Sequence, residues 1–130
     1  MNDVSFYDKD GNKAEISSST GTCISSSDYS GYDCMRAFDD QNNVHGHSYW
    51  HSGDTGVDNQ WIGWAFNQAT AVASYSLTSD TYYSPDTYLP DVYKFEARDT
   101  DSEDWETLDS YSFTMTAKGQ TFMRTLPACN

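Results

Sequence analysis

Apolar and polar residues alternate with a period of two along much of this chain. Over residues 72–79, Ala73, Tyr75 and Leu77 alternate with Ser74, Ser76 and Thr78. Over 93–98, Tyr93, Phe95 and Ala97 alternate with Lys94, Glu96 and Arg98, and over 121–126, Phe122, Arg124 and Leu126 oppose Thr121, Met123 and Thr125. Successive side chains of a strand point to opposite faces, so this period predicts half-buried strands. Trp61, Ile62, Trp64 and Phe66 form a denser apolar run, which predicts a central strand. No long helical period is present, and at most one turn of helix fits residues 33–38. Turn-forming residues separate the strands at Asp10-Gly11-Asn12, Ser30-Gly31, 53–59, Ser84-Pro85-Asp86, 99–104 and Lys118-Gly119. Many short strands with such turns predict a β-sandwich. The Ser-rich segments 17–20 and 25–27 are expected to be solvated loops.

The chain has 130 residues, which predicts a single domain over 1–130 able to bury a core of its own. Aromatic residues make up 15% of it although its mean hydropathy is strongly negative, a pairing that predicts an aromatic core under a polar surface rather than disorder. Seven basic against 20 acidic residues give a net charge of −13. A surface of that sign repels phosphate backbones and anionic bilayers, so no nucleic-acid partner is expected. Acidic loops suit calcium, a hard cation that takes oxygen ligands. No apolar run reaches membrane-spanning length, so no membrane insertion is expected, and the first residues, MNDVSFYDKDG, contain no apolar leader core. Three cysteines leave at least one unpaired within the chain. Cys23 with Cys34 would close a short loop, while Cys129 could pair with either or with another chain. Few lysines and many Ser, Thr and Tyr residues favour an extracellular setting, secreted or at the cell surface, where disulfides persist.

The middle of the chain carries an ordered set of motifs: AFDD (37–40), SYWHS (48–52), QWIGWAF (60–66), YSLTSD (75–80), Pro90, YKFEARD (93–99) and DWETLD (104–109). In order and spacing this set resembles the discoidin-like family, which includes the C-type domains of coagulation factors and sugar-binding modules of bacterial glycosidases. The resemblance covers half to two-thirds of the chain. It implies an all-β, jelly-roll-like sandwich of the galactose-binding type that binds ligands without catalysis. It also implies that Trp50, Trp61, Trp64 and Trp105 are core residues.

The two ends depart from the family pattern. The strand that usually closes such domains is missing after FMRTLPACN, yet the start, DVSFYDKDG (3–11), looks like that strand and its turn. Residues 1–12 therefore either fold back into their own domain, making a circular permutant, or complete a neighbouring copy. Donation would bury Val4 and Phe6 against a partner's open edge and build a filament where the contact does not close.

Family members often hold a structural calcium ion. Carried over by position, the resemblance implies ligands from Asp39, the Phe38 or Ala37 carbonyl, Asn42 or Asn43, Ser48, and Asp3 from the displaced strand. The alternative for Asp39 is an Asx-turn in which it caps backbone amides. Asp40 replaces the family's glycine and Ser48 its threonine. Residues 99–104 resemble a calcium loop only superficially and are expected to form a hairpin turn. His45, His47 and His51 lie close in sequence, but no fourth ligand stands at zinc-motif spacing. Sugar recognition needs an aromatic face and placed polar groups. Tyr82, Tyr83 and Tyr88 on one loop, with Asn43, His45, His47 and Asp54 on others, are the candidates. Arg36 and Arg98 are cations that could meet a carboxylated sugar. No hydrolase, metalloprotease or phosphate-loop motif is present, so no enzymatic activity is expected. The sequence reading is thus an extracellular, non-catalytic carbohydrate-binding or adhesion module with structural calcium and a glycan or glycoprotein partner. The alternative is a filament or coat subunit that binds copies of itself through its N-terminal strand.

Overall fold

A computed structural model describes residues 1, 3–39, 50–53, 59–79 and 92–127 of the chain. Within them the architecture is all-β: β1 (Asp3–Tyr7), β2 (Gly21–Ser25), β3 (Ile62–Phe66), β4 (Ser74–Thr78), β5 (Val92–Ala97), β6 (Glu106–Ser112) and β7 (Thr121–Thr125), with one 3-10 turn at Cys34–Ala37. That turn falls inside the window where the sequence allows one.

The strands pair antiparallel in three groups. β4 lies between β1 and β7, β2 pairs with β3, and β5 pairs with β6. Val4 opposes Leu77 and Phe6 opposes Tyr75, while Leu77 opposes Phe122 and Tyr75 opposes Arg124. One face of this sheet is therefore aromatic and aliphatic, as the period of two predicts. The other face carries Asp3, Ser5, Ser76 and Thr78, which are also buried. These side chains are small and find partners: Ser5 Oγ donates to Asp3 Oδ2 at 2.8 Å, and the Thr78 and Thr121 hydroxyls lie 2.8 Å apart. Burial of hydroxyls on this face is thus satisfied locally.

Phe6 joins the groups into one sandwich-like core. Its ring lies 6.2 Å from Phe38, 6.0 Å from Phe66 on β3 and 6.2 Å from Phe95 on β5. Tyr75 stacks on Phe95 at 4.6 Å, and Phe38 meets Trp64 at 5.3 Å. Such offset or edge-on pairs add to the area they bury.

Two expectations need correction. Trp61 and Trp105 are 48% and 43% exposed, not core residues. Ile62, Trp64 and Phe66 share one face of β3, so the same period that buries them turns Trp61 the other way. Trp105 precedes β6 and stacks under Arg98, whose guanidinium carbon is 4.2 Å from a Trp105 ring centroid. Trp64 is buried, and Trp50 packs at the core margin. Among the described residues, β3 has β2 as its ladder partner. The 99–104 segment forms the β5–β6 hairpin turn, with Arg98 donating to the carbonyls of Asp101 and Glu103.

Cys23 and Cys34 are joined by a disulfide, with Cα atoms 5.8 Å apart. The bond ties the 3-10 turn to β2 and closes the intervening loop. Cys129 lies outside the described residues.

Candidate functional site

β1 begins at Asp3, opposite the end of β4 at Thr78 and near the start of β7 at Thr121. Just before β1, the Trp50 N–H donates to the Met1 carbonyl at 2.8 Å, and the Met1 ammonium donates to the Trp50 carbonyl at 3.1 Å. The segment after residue 49 is thereby sewn to the start of the first strand. Residues that are far apart in sequence converge at this end of the molecule.

Asp3 lies on one wall of a cleft of about 230 Å³ that Lys13, Glu15 and Phe38 also line. Its residue is only 6% exposed, and Phe38 is 5% exposed. An ionised carboxylate is costly to bury without hydrogen bonds or a cation, and Ser5 supplies one hydrogen bond. Asp39, exposed, follows Phe38 directly. The structure thus brings Asp3 and Phe38 to one cleft from opposite ends of the expected calcium set. Ala37 is fully buried beside them in sequence. Carboxylate and carbonyl oxygens are the donors calcium takes. Asn42, Asn43 and Ser48 lie outside the described residues. Among the described residues, no three His, Cys, Asp or Glu side chains cluster as a metal site.

A second arrangement occupies the loop closed by the disulfide. Ser26 and Ser27 both donate to Gln60 Oε1 at 2.9 Å, and the Gly53 N–H donates to Ser27 Oγ at 2.9 Å. Trp50 Nε1 donates to Asp28 Oδ1 at 2.8 Å, which also accepts from Ser25 Oγ. The Ser-rich stretch is therefore a bonded scaffold, a role that its sequence alone does not reveal. On this scaffold stands a row of side chains. The Tyr29 ring lies 5.1 Å from His51 and 6.0 Å from Tyr32, and the Arg36 guanidinium carbon is 5.7 Å from the Tyr32 centroid. Main-chain bonds fix the row, since Tyr29 N–H donates to the His51 carbonyl and Tyr32 N–H to the Tyr29 carbonyl, each at 2.8 Å. Gly31 takes φ of 80° in the tight turn between the two tyrosines, a conformation that favours glycine. His51 Nδ1 sits 2.6 Å from the Ser52 carbonyl, which can only accept, so Nδ1 carries the proton.

Tyr29 and Tyr32 were not among the residues that the sequence singles out. The available signal was two tyrosines flanking Ser30-Gly31 between cysteines that close a loop. The predicted sugar contacts Asn43, His45, His47, Asp54, Tyr82, Tyr83 and Tyr88 all lie outside the described residues. Of the two candidate cations, Arg36 joins the aromatic row, whereas Arg98 is occupied by Trp105 and an ion pair with Asp101 at 3.8 Å.

A third cluster is structural in character. Arg124 donates through Nε and Nη2 to the two oxygens of Asp109, at 2.9 and 2.8 Å, and the Tyr75 hydroxyl donates to Asp109 Oδ2 at 3.0 Å. The Arg124 bond, with help from Tyr75, holds the Asp109 carboxyl below its ordinary range, against the opposing effect of burial. Burial, and then the Asp109 carboxylate, push the Tyr75 phenol up. No helix here is long and apolar enough to cross a membrane among the described residues. Comparison with protein-family models, curated proteins and solved structures finds no match to this chain.

Proposed function

We propose that this chain is an extracellular, non-catalytic carbohydrate-binding or adhesion module with a jelly-roll sandwich of the galactose-binding type and a structural calcium ion. The observation that carries the reading is the meeting of Asp3 and Phe38 at one cleft. The resemblance to discoidin-like domains asks for an acidic residue from the closing strand beside the AFDD loop, and β1 supplies one from the wrong end of the chain. That is the arrangement expected of a circular permutant. Calcium would be held by the Asp3 carboxylate and the Phe38 carbonyl with Asp39, all oxygen donors of the kind calcium takes.

The test is thermal melting with calcium and with excess chelator, followed by a glycan array on the calcium-loaded protein. Calcium at 100 times its dissociation constant should stabilise the fold by about 2.7 kcal/mol, and Asp3→Asn should remove that shift. Identical melting in both buffers would sink the calcium assignment. An array with no bound glycan would sink the binding function.

The filament reading draws on one observation: among the described residues, β1 forms its full ladder with β4 alone, beyond a single bridge from Tyr7 to Lys13. Passing β1 to a neighbour would break a single ladder and expose Val4 and Phe6. Light scattering over a wide concentration range should then reveal large species that disappear when residues 1–8 are deleted. A monomer at every concentration rules this reading out.

A further inference from the structure

We propose that the outer edge of β7 is a self-association surface, on which a second copy of this chain pairs its own β7 antiparallel about a two-fold axis at Met123. This goes beyond the ligand-binding reading and does not depend on it.

The ladder fixes which way the main chain of β7 points. Leu126 N–H donates to the Ala73 carbonyl at 2.8 Å, and Ser79 N–H donates to the Gln120 carbonyl at 2.9 Å. In the same register Tyr75 opposes Arg124 and Leu77 opposes Phe122. Bonded and non-bonded positions alternate along an antiparallel pair. Phe122 and Arg124 therefore bond to β4, while Thr121, Met123 and Thr125 direct their N–H and C=O groups away from it. Among the described residues, β4 is the ladder partner of β7. Thr121, Met123 and Thr125 are all exposed, Met123 by 57%.

Open edges are commonly blunted by a lysine, a proline, a bulge or an inward charge. β7 contains no Lys or Pro, and its register against β4 is unbroken. Its one charge, Arg124, is paired with Asp109. The outer side of β1 is different, because Ala14 N–H bonds the Phe6 carbonyl there and Lys13 bridges to Tyr7.

Charge selects a second copy as the partner. All 20 acidic residues lie at or before Asp109, and residues 110–130 hold only Lys118 and Arg124 as charges. The net −13 is thus −15 over residues 1–109 and +2 over residues 110–130. Two copies repel one another over most of their surface, and β7 offers an approach free of acids. Asp3 stands on β1, at the far edge of the same sheet. About the axis, Met123 faces Met123 and Thr121 faces Thr125, each pair exchanging two main-chain hydrogen bonds. Thr side chains and the flexible Met thioether suit such cross-strand contact. A two-fold contact of this kind closes at the dimer.

Sedimentation equilibrium of the full chain, from low micromolar to about 1 mM, should show a monomer–dimer equilibrium with a Kd on the order of 100 µM, as a small edge contact gives. Sodium chloride should tighten it by screening the net charge. Met123→Lys should weaken it about tenfold or more by setting like charges face to face at the axis, although the variant lowers the overall repulsion. Thr125→Pro removes an outward N–H and no bond to β4, and should weaken association about tenfold. It also covers the event that the lysine variant misfolds. Thr107→Lys, on the exposed face of β6, should associate as wild type does. In wild type, the amides of Thr121, Met123 and Thr125 should exchange more slowly at high protein concentration, while those of Phe122 and Arg124 stay protected throughout. Monomer at every concentration, a dimer unchanged in folded Met123→Lys, or edge amides indifferent to concentration overturns the proposal. Association that salt weakens, or that grows past the dimer, overturns it in favour of a head-to-tail contact between the basic strip and acidic loops.

Discussion

Asp109 shows how much one side chain can organise. Its two oxygens accept from both ends of the Arg124 fork and from the Tyr75 hydroxyl, and the same guanidinium lies 3.9 Å from the Tyr111 centroid. The folded protein holds this carboxyl below its ordinary range, chiefly through Arg124. The unfolded chain titrates near the usual aspartate value, about 3.9. The contribution is therefore complete above that value and is lost as pH falls through the lower folded value. Melting temperature should decline on acidification below about pH 4, and Asp109→Asn should shallow that decline while lowering the neutral-pH melting point. An acid limb identical in both proteins would count against the assignment. Tyr75 works with the opposite sign. Its raised phenol gives stability that is present below the unfolded value, about 10, and lost as pH climbs above it. Phe6 is buried and meets three other rings across the strand groups, and Phe6→Ala should cost about 3–5 kcal/mol in urea unfolding. The side on which Arg124 stands was legible in the alternation of 121–126. Its partner was not, because Asp109 is brought opposite it by the fold and no local spacing encodes that.

At the scale of elements, the period of two located β4, β5 and β7, and it buried Tyr93 and Leu126 while exposing Met123. It overreached where apolar density stood in for direction. Trp61 adds to an apolar run, but parity turns it away from the face that Trp64 occupies. β2 had no alternating signature, and it is fixed instead by pairing with β3. Gly21 is required there, since a Cβ at that position would meet Ala65 O at 2.2 Å and Trp64 Nε1 at 2.6 Å. Gly21→Ala should accordingly be among the most destabilising small substitutions, with the urea midpoint as its measure. The disulfide that anchors the 3-10 turn closes a short loop. Replacing both Cys23 and Cys34 by serine should cost about 2–4 kcal/mol, and peptide mapping of the unreduced protein should recover the two cysteines in one linked fragment. Recovery of Cys23 linked to Cys129 would overturn the pairing.

Over the whole molecule, charge is the dominant feature that packing does not explain. At −13 the folded chain repels itself, so sodium chloride should raise the melting temperature by screening. Calcium at matched ionic strength should raise it further if the Asp3 cleft holds the ion. Equal shifts with the two salts would reduce calcium to a screening ion. The alternation and the motif order pointed to an all-β fold, and the departure of residues 3–11 from the expected motif order was visible in the sequence. Where that strand would settle was not, because both a self-contained domain and an exchanged one satisfy the same hydrogen bonds.

The placement of β1 also sets the order in which this protein can be made. Val4 and Phe6 leave the ribosome well before their ladder partners Leu77 and Tyr75, which are some seventy positions behind them. Until those are synthesised, an aromatic strand has no lawful neighbour, and the cost of closing so long a loop makes its docking a late event. The β5–β6 hairpin, whose strands are adjacent in the chain, closes only a short loop and can form as soon as residues 92–112 are synthesised. A newborn copy therefore passes through a stage in which this aromatic strand has no partner of its own. Crowded translation is the circumstance in which such strands find one another.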